Sequence, residues 1–337
     1  MKAPVLGKEI LYLSKKEIED MQLPMEEMID IVEEVFREKA EGRYQMPAKI
    51  ALHPLEDRGD PNDFIHAMPA FLSGPNISGI KIVSGFVNAT RQGFPYINGV
   101  YILIDPDTGI PIAVMDSIWV TAVRTGAVTG LTAKYLGNPD SEVLGILGTG
   151  VQGRNTLDAV ACTMKNLKEV RVYDKFPGSA ERFVAAMSAK YPQYTFKVVD
   201  KEDAVRGCDL LGSCIPINID PNEEFISDDM IKEGATCIAV DLQVLYKPEC
   251  FGSPIWDVRT TDDIGQYDTF HGTGYMRGFD GTPPEMGHVI AGKVPGRTDP
   301  SQRIMTTNIG LGLCDLGVAK RVFDEALARN VGRILPL

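Results

Sequence analysis

Two kinds of hydrophobic pattern divide the chain. In its first part, short β-rich runs broken by turn residues predict an antiparallel sheet over residues 43–116, with a hairpin turn at 105–109. An alternating run at 8–13 predicts a further strand, and apolar positions at helical spacing predict a helix over 24–42. An apolar run rich in alanine and glycine predicts a second helix at 117–136.

The second part, from 142 to about 310, alternates strands with helices, which is typical of a parallel sheet covered by helices. A final amphipathic helix follows, so we expect the chain to return to its first domain. The predicted fold class is α/β, with a Rossmann-type doubly wound parallel sheet domain at 138–311 and an α+β domain formed by 1–137 and 312–337. The segment 262–300, rich in Gly, Pro and Asp, is predicted to form loops around the site. Further parallel strands are predicted at 195–199, 209–215 and 236–240.

A complete G-x-G-x-x-G motif follows the first apolar run of the second part, and its glycines are Gly148, Gly150 and Gly153. The first glycine allows a tight turn, the second lets the backbone approach a pyrophosphate, and the third lets the helix pack on its strand. The helix N-terminus then offers N–H groups to phosphates, and Asp174 ends the next strand, where a carboxylate accepts ribose hydroxyls. The motif predicts NAD binding. A structural turn is the alternative to nucleotide binding. NADP is the alternative cofactor, because Lys175 follows the aspartate and could contact a phosphate.

Composition excludes several classes of function. The chain of 337 residues is 44% hydrophobic and 24% charged, as in ordinary globular proteins. A net charge of −12 argues against nucleic acid or an anionic membrane as partner. No apolar run approaches a membrane span, and the first residues lack the apolar core of a signal peptide. Six scattered cysteines indicate free thiols in a reducing cytosol, and four dispersed histidines offer no metal motif. We therefore expect a cytoplasmic protein.

Several further motifs occur in a fixed order along the chain. They are Met68-Pro69-Ala70, Lys81-Ile82-Val83-Ser84, Thr108-Gly109-Ile110-Pro111, Val123-Arg124-Thr125, Gly148-Thr149-Gly150-Val151-Gln152, Glu285-Met286-Gly287, Pro295-Gly296-Arg297 and Asp315-Leu316-Gly317. With them the sequence resembles the ornithine cyclodeaminase/μ-crystallin family almost from end to end. The resemblance implies a homodimer built through the non-Rossmann domain, which also binds substrate, and a substrate cleft between the domains. It implies hydride transfer between nicotinamide and the α-carbon of a small-molecule amino acid or cyclic imine.

The resemblance also assigns roles to residues. Lys81 and Arg124 would bind the substrate carboxylate, a role that suits a point charge beside a planar guanidinium. Without the resemblance, Lys81 would be interpreted as a residue on an exposed strand face, and Arg124 as a residue that forms a salt bridge on a helix. Asp241, at the end of a predicted strand, aligns with the catalytic aspartate, and Lys81 is included with it as a catalytic candidate. A helix cap or a loop carboxylate is the alternative for Asp241. The remaining positions that look like cofactor contacts are Thr149, Val151, Gln152, Ser213 and Asn308.

Departures from the family pattern concern the substrate. Lys49 stands where the family has a second carboxylate-binding arginine, and His66 stands where cyclodeaminases carry a glutamate. The apolar loop 242–246 is longer than the family norm, which suggests an altered pocket, and Tyr96 replaces a small hydroxyl residue. Ornithine is therefore doubtful as the substrate.

Four outcomes stay open at this stage. A cyclodeaminase returns the hydride after a side-chain amine displaces ammonia, an amino-acid dehydrogenase lets water attack the imine, and a ketimine reductase runs only the reductive half. A nucleotide-dependent binding protein without turnover, of the μ-crystallin type, is the alternative from another class. The joint presence of Lys81, Arg124 and Asp241 favours an enzyme.

Overall fold

The computed structural model describes residues 1–54, 59–60, 62–217, 222 and 224–337. The strands within these ranges are β1 (Glu9–Leu13), β2 (Tyr44–Gln45), β3 (Ile50–Leu52), β4 (Phe64–Leu72), β5 (Ile77–Gly85), β6 (Ile97–Ile104), β7 (Pro111–Asp116), β8 (Val143–Leu147), β9 (Glu169–Tyr173), β10 (Thr195–Val198), β11 (Leu210–Ser213), β12 (Thr236–Ala239), β13 (Val258–Thr261), β14 (Ile304–Thr307) and β15 (Arg333–Pro336). The α-helices are α1 (Lys15–Asp20), α2 (Met25–Ala40), α3 (Val87–Arg91), α4 (Ile118–Leu136), α5 (Val151–Thr163), α6 (Ser179–Lys190), α7 (Pro248–Gly252), α8 (Ile264–His271), α9 (Met286–Ile290) and α10 (Gly312–Arg329).

The chain forms two compact units. The first comprises Met1–Arg124 together with Leu311–Leu337, and the second comprises Thr125–Gly310. The division falls within α4, whereas the sequence placed the domain limit after this helix, at 137/138. Among the described residues, no helix combines the length and apolar character that crossing a bilayer requires.

The first unit is a mixed sheet with the strand order β15-β1-β7-β6-β5-β4-β2. The meander β4–β7 is antiparallel, as predicted, and the turn at 105–109 joins β6 to β7. β1 pairs parallel with β7 and antiparallel with β15, a C-terminal strand that the sequence did not predict. Helix α10 packs on α2 and on β4 and β5, so the chain does return to its first unit.

The second unit is a parallel sheet with the order β10-β9-β8-β11-β12-β14-β13. All the predicted strands are present within a residue or two of their expected limits. The order reverses between β8 and β11, and open α/β sheets bind ligands at the carboxyl ends of strands on either side of such a point. Two short helices, α8 and α9, lie inside the segment that was predicted to be loops.

Candidate active site

The glycine motif has the geometry that nucleotide binding requires. Gly148 has a φ of +91°, and a Cβ there would lie 2.7 Å from the carbonyl oxygen of Cys214. A Cβ on Gly153 would lie 2.2 Å from the carbonyl oxygen of Gly148, so this glycine lets α5 pack against the loop. Gly150, the N-cap of α5, is different, because an added Cβ would meet no atom of the described chain within 4 Å. The space above Gly150 is therefore open to a ligand.

Asp174 lies directly after β9 and is hydrogen-bonded to the glycine loop. Its Oδ2 atom accepts from the backbone N–H of Thr149 at 2.8 Å and from the hydroxyl of Thr149 at 2.7 Å. The N–H of Phe176 donates to Oδ1 at 3.0 Å. A carboxylate has about four acceptor positions, so these contacts leave capacity for ribose hydroxyls.

The first turn of α5 carries the two other predicted loop contacts. Val151 is 59% exposed, which is unusual for valine on a helix that packs on a sheet. The side-chain oxygen of Gln152 is buried and accepts no hydrogen bond from the described residues. Buried acceptors in proteins almost always have a donor, so this atom fits a site completed by a ligand.

Asp241 and Ser213 lie at the carboxyl ends of adjacent strands. Ser213 ends β11, which pairs with β8 and therefore lies beside the glycine loop. Asp241 follows β12 and is fully buried. Its Oδ1 accepts a hydrogen bond from the Ser213 hydroxyl at 2.8 Å and another from the N–H of Gln243 at 3.2 Å. Its Oδ2 is buried and has no hydrogen-bond partner within the described ranges.

Burial gives this aspartate a perturbed acidity. Desolvation raises the pKa of Asp241 to about 6, and hydrogen bonds from the Ser213 hydroxyl and from the backbone N–H groups of Gln243, Asp241 and Ile215 oppose that rise. A carboxyl group with this pKa exchanges protons near neutral pH, as a general acid–base catalyst must. The helix-cap interpretation of Asp241 does not fit, because its oxygens bond to a side chain and a turn rather than to a helix N-terminus.

Asn308 lies after β14 at the same edge of the sheet. Its backbone N–H donates to the carbonyl of Ala239 at 2.8 Å, which fixes it beside the end of β12. Its side chain donates to the hydroxyl of Thr132 at 3.3 Å and accepts from that of Thr306 at 3.3 Å. The parallel sheet thus brings Asn308, Ser213 and Asp241 to one edge.

In the first unit, Lys81 and Arg124 share a buried carboxylate that the sequence interpretation did not select. Lys81 Nζ lies 2.6 Å from Asp315 Oδ2, and Arg124 Nε lies 2.9 Å from Asp315 Oδ1. Lys81 also donates to the hydroxyl of Thr121 at 3.3 Å. Lys81 is only 1% exposed, so it does not lie on an exposed strand face. An aspartate on the apolar face of the last helix was the available sequence signal for Asp315.

The surroundings of Lys81 lower its proton affinity. Burial is the main cause of a pKa of about 7, and the cations of Arg124 and Lys49 lower it further, whereas Asp315 raises it. His66, on β4, has a pKa of about 3, because of burial and then the charge of Lys49. Its ring stacks on Phe64 with centroids 4.3 Å apart. At neutral pH, His66 is therefore a neutral hydrogen-bonding group within a cationic cluster.

The structure thus brings four predicted substrate ligands into one cluster: Lys49, His66, Lys81 and Arg124. Arg124 and Lys49, with Lys81 in its protonated form, suit a small carboxylate, and His66 adds a neutral hydrogen-bonding group. The two other departures noted in the sequence are placed differently. Tyr96 donates its hydroxyl to the carbonyl of Asn62 at 3.0 Å. Leu245 and Tyr246 are buried in the core of the second unit, so their side chains pack the fold beneath the turn that follows Asp241.

Fold and site together define a class, namely α/β proteins with a Rossmann-type unit and a second unit that carries a buried cationic cluster. The family model for the ornithine cyclodeaminase/mu-crystallin family matches residues 9–330. The chain belongs to this family.

Relatives and solved structures agree with this assignment. The chain is 31% identical over 334 residues to an alanine dehydrogenase from Archaeoglobus fulgidus, covering 96% of this chain and 97% of that protein. A Thermococcus litoralis Δ1-pyrroline-2-carboxylate reductase, solved with NADH and L-proline, matches with a TM-score of 0.83 and 28% identity, covering 96% of this chain and 99% of the other. An archaeal alanine dehydrogenase dimer with bound NAD matches with a TM-score of 0.83 and 29% identity over 97% and 99% of the two chains.

Proposed function

We propose that this protein is an NAD-dependent oxidoreductase that acts on the α C–N bond of a small amino acid or cyclic imine. The observation that carries the proposal is Asp241, a fully buried carboxyl group with a pKa of about 6 and one unpartnered oxygen within the described part of the chain. It lies at the same sheet edge as the glycine loop, where a nicotinamide nucleotide would bind. The NAD-bound and NADH-bound relatives support this choice of cofactor.

The nucleotide would be held by a set of residues around the glycine loop: Gly148, Thr149, Gly150, Val151, Gln152, Gly153, Asp174, Ser213 and Asn308. When bound, the nucleotide would supply a hydride acceptor for the α-carbon of an amino acid or a hydride donor for an imine. The site fits this group, because the space above Gly150 is open and the buried oxygen of Gln152 lacks a donor among the described residues. Asp174 favours NAD, because its carboxylate would repel the additional phosphate of NADP.

The chain's own groups supply binding and proton transfer. Arg124 and Lys81 bind the substrate carboxylate, with Lys49 and His66 completing the cationic cluster. Asp241 Oδ2 accepts a proton from the substrate amine or from an attacking water in the oxidative direction, and it returns a proton in the reductive direction. With a pKa of about 7, Lys81 also exchanges a proton near neutral pH, which makes it a second acid–base group.

The experiment that tests this function follows two products at once. Purified protein is mixed with NAD and a panel of amino acids, and nicotinamide absorbance and ammonia are measured in parallel. Ammonia matched by NADH identifies a dehydrogenase, and ammonia without NADH identifies a cyclodeaminase. Reduction of cyclic imines by NADH alone identifies a ketimine reductase. The absence of any reaction with every substrate would contradict the proposal that the protein is an enzyme, and it would favour a binding protein of the μ-crystallin type.

A homodimer is part of the same proposal. The face of the first sheet opposite Lys81 exposes Ile65, Ile82 and Val100, each 37–38% accessible. Ile82 and Val100 are direct cross-strand partners, so the apolar side chains adjoin one another. An exposed apolar surface of this kind is typical of a subunit interface. Sedimentation velocity at micromolar concentration measures the state directly, and a monomer would contradict the proposal.

A paired substitution tests the nucleotide site without relying on activity. Gly150→Val is expected to weaken NADH binding at least tenfold, because its side chain fills space that a pyrophosphate needs. Its melting temperature should stay near that of the parent, since φ at Gly150 is −73° and a Cβ there meets no described atom within 4 Å. NADH fluorescence titration and thermal melts give both quantities.

Gly153→Ala is the matched control for that variant. A Cβ at Gly153 collides with the carbonyl of Gly148 at 2.2 Å, so this smaller substitution should lower the melting temperature. Parent-like NADH affinity in Gly150→Val would show that the nucleotide does not approach this loop.

A further inference from the structure

The chain makes a strained turn directly after Asp241. Leu242 has a φ of +56° and Gln243 a φ of +65°, so two consecutive residues with side chains adopt the left-handed region. Such residues are uncommon and cost free energy that the surrounding structure must supply. Both residues are buried.

Two contacts of Gln243 explain what the turn achieves. Its backbone N–H points back to Asp241 and donates to Oδ1 at 3.2 Å. Its side-chain amide donates to the hydroxyl of Thr307, the last residue of β14. Because Ala239 of β12 pairs with Thr307, this bond ties the turn to the neighbouring strand end. The side chain of Gln243 thus holds the conformation in which its own N–H reaches the carboxylate.

The consequence for Asp241 is an asymmetric carboxylate. Oδ1 accepts two hydrogen bonds, from Ser213 and from Gln243, whereas Oδ2 accepts none from the described residues. Rotation of the carboxyl group would break both bonds to Oδ1. One oxygen is therefore fixed in place and the other remains available for proton transfer.

We propose that Gln243 is a positioning residue, which uses its bond to Thr307 to fix the Asp241 carboxylate with Oδ2 presented to the substrate. This inference rests on the proposed function, because it assumes that Asp241 transfers protons. Gln243 itself need not touch the substrate.

The test combines Gln243→Leu, Thr307→Val and the double variant in the oxidative direction. Losing a hydrogen bond to a carboxylate disfavours its ionised form, so the acid limb of kcat/KM against pH should move to higher pH in each variant. At a pH below the limb, kcat should fall about tenfold or more, the size expected for one hydrogen bond to a charged group, with little change in KM for the amino acid. The double variant should be no worse than either single one, because both break the same bond.

The shift between parent and variant reports Asp241, because Lys81, which also titrates near pH 7, is the same in every variant. The titratable groups that face it in the described chain are the thiol of Cys214 and the hydroxyl of Tyr246, whose pKa values burial raises to about 12 and well above 10 respectively. Neither titrates near neutral pH. Thr260→Val is the matched control for Thr307→Val, because Thr260 lies on β13 of the same sheet with a buried hydroxyl that has no partner in the described ranges. It should leave the profile unchanged.

The outcomes separate this inference from the proposed function. An unshifted limb in Gln243→Leu and Thr307→Val, with an active parent, would overturn the positioning role and leave the function intact. Additive effects in the double variant would overturn it as well. A parent that turns over no substrate, or an Asp241→Asn variant that retains full activity, would instead refute the function on which the inference rests. If Thr260→Val lowered kcat and shifted the acid limb as much as Thr307→Val does, the effect would come from packing in general and the positioning role would be overturned.

Discussion

Replacing Asp241 by asparagine is expected to abolish turnover while NADH binding persists. Asparagine keeps the size of the side chain and an oxygen that can accept from Ser213, but it cannot take or release a proton. Loss of a positioned acid–base group costs roughly 10²- to 10⁴-fold in rate. Steady-state kinetics with the best amino acid or imine measures the loss, and NADH fluorescence confirms that the variant remains folded. Turnover within a few-fold of the parent would contradict the role of Asp241.

The same substitution should stabilise the protein at neutral pH. The pKa of Asp241 is about 6 in the folded chain and 3.8 for an ordinary aspartate, so the folded state binds the proton more tightly. The contribution of the protonated Asp241 carboxyl group to the free energy of unfolding is complete below pH 3.8, and it is lost as pH rises through 6. Asparagine has no such pH dependence. The free energy of unfolding of Asp241→Asn should therefore exceed that of the parent by up to about 3 kcal/mol at pH 7–8 and match it near pH 4. Denaturant unfolding at both pH values checks the sign.

A loss in stability of about 3–5 kcal/mol is expected for Asp315→Asn, because removing one partner leaves buried charges uncompensated. Asp315 is fully buried between Lys81 and Arg124, at 2.6 and 2.9 Å. Without its charge, the two cations repel each other and the pKa of Lys81 falls below its present value of about 7. Urea unfolding measures the change. Substrate titration should show a raised KM, because Lys81 and Arg124 lose the partner that fixes their positions.

Asp324→Asn is the control for this prediction. Asp324 lies on the same helix, α10, and pairs with Lys320 at 2.6 Å, but both side chains are at least 35% exposed. Exposed helix pairs of this type contribute about 0.3–0.5 kcal/mol. Equal unfolding midpoints for the two variants would show that the buried cluster is not a stabilising unit. Rescue of Asp315→Asn by a carboxylate substrate, as a larger rise in melting temperature than in the parent, would support the binding role.

Local sequence was sufficient for the features that depend on short-range sterics. The glycine loop could be predicted residue by residue, because the motif specifies the tight turn at Gly148, the open approach at Gly150 and the close packing at Gly153. Helix α1 was not predicted, although Ser14 and Glu17 form a complete capping box, which is a local signal for a helix start.

Other features depend on contacts between distant parts of the chain. The parallel pairing of β1 with β7 and the addition of β15 join segments about 100 and 300 residues apart along the sequence, which no local pattern encodes. Asp315 is such a case within the site. Its residue type and apolar surroundings could be read, but its two partners, Lys81 and Arg124, become neighbours only in the folded sheet. The structure of the turn at Leu242 and Gln243 was also unpredictable, because neither residue is typical of a left-handed conformation.

The discontinuous first unit has a consequence for synthesis on the ribosome. The chain leaves this unit after Arg124. The segment Leu311–Leu337 later completes the unit with α10 and with β15, the last strand of its sheet. The whole second unit is therefore made, and free to fold, before the first unit receives its last helix. Until α10 emerges, Lys81 and Arg124 lack Asp315 and the apolar face of β4 and β5 lacks its cover. Nascent chains that end at residue 310 and carry a linker long enough to clear the ribosome are expected to resist protease over 125–310, while the first 124 residues remain open to cleavage and to chaperones.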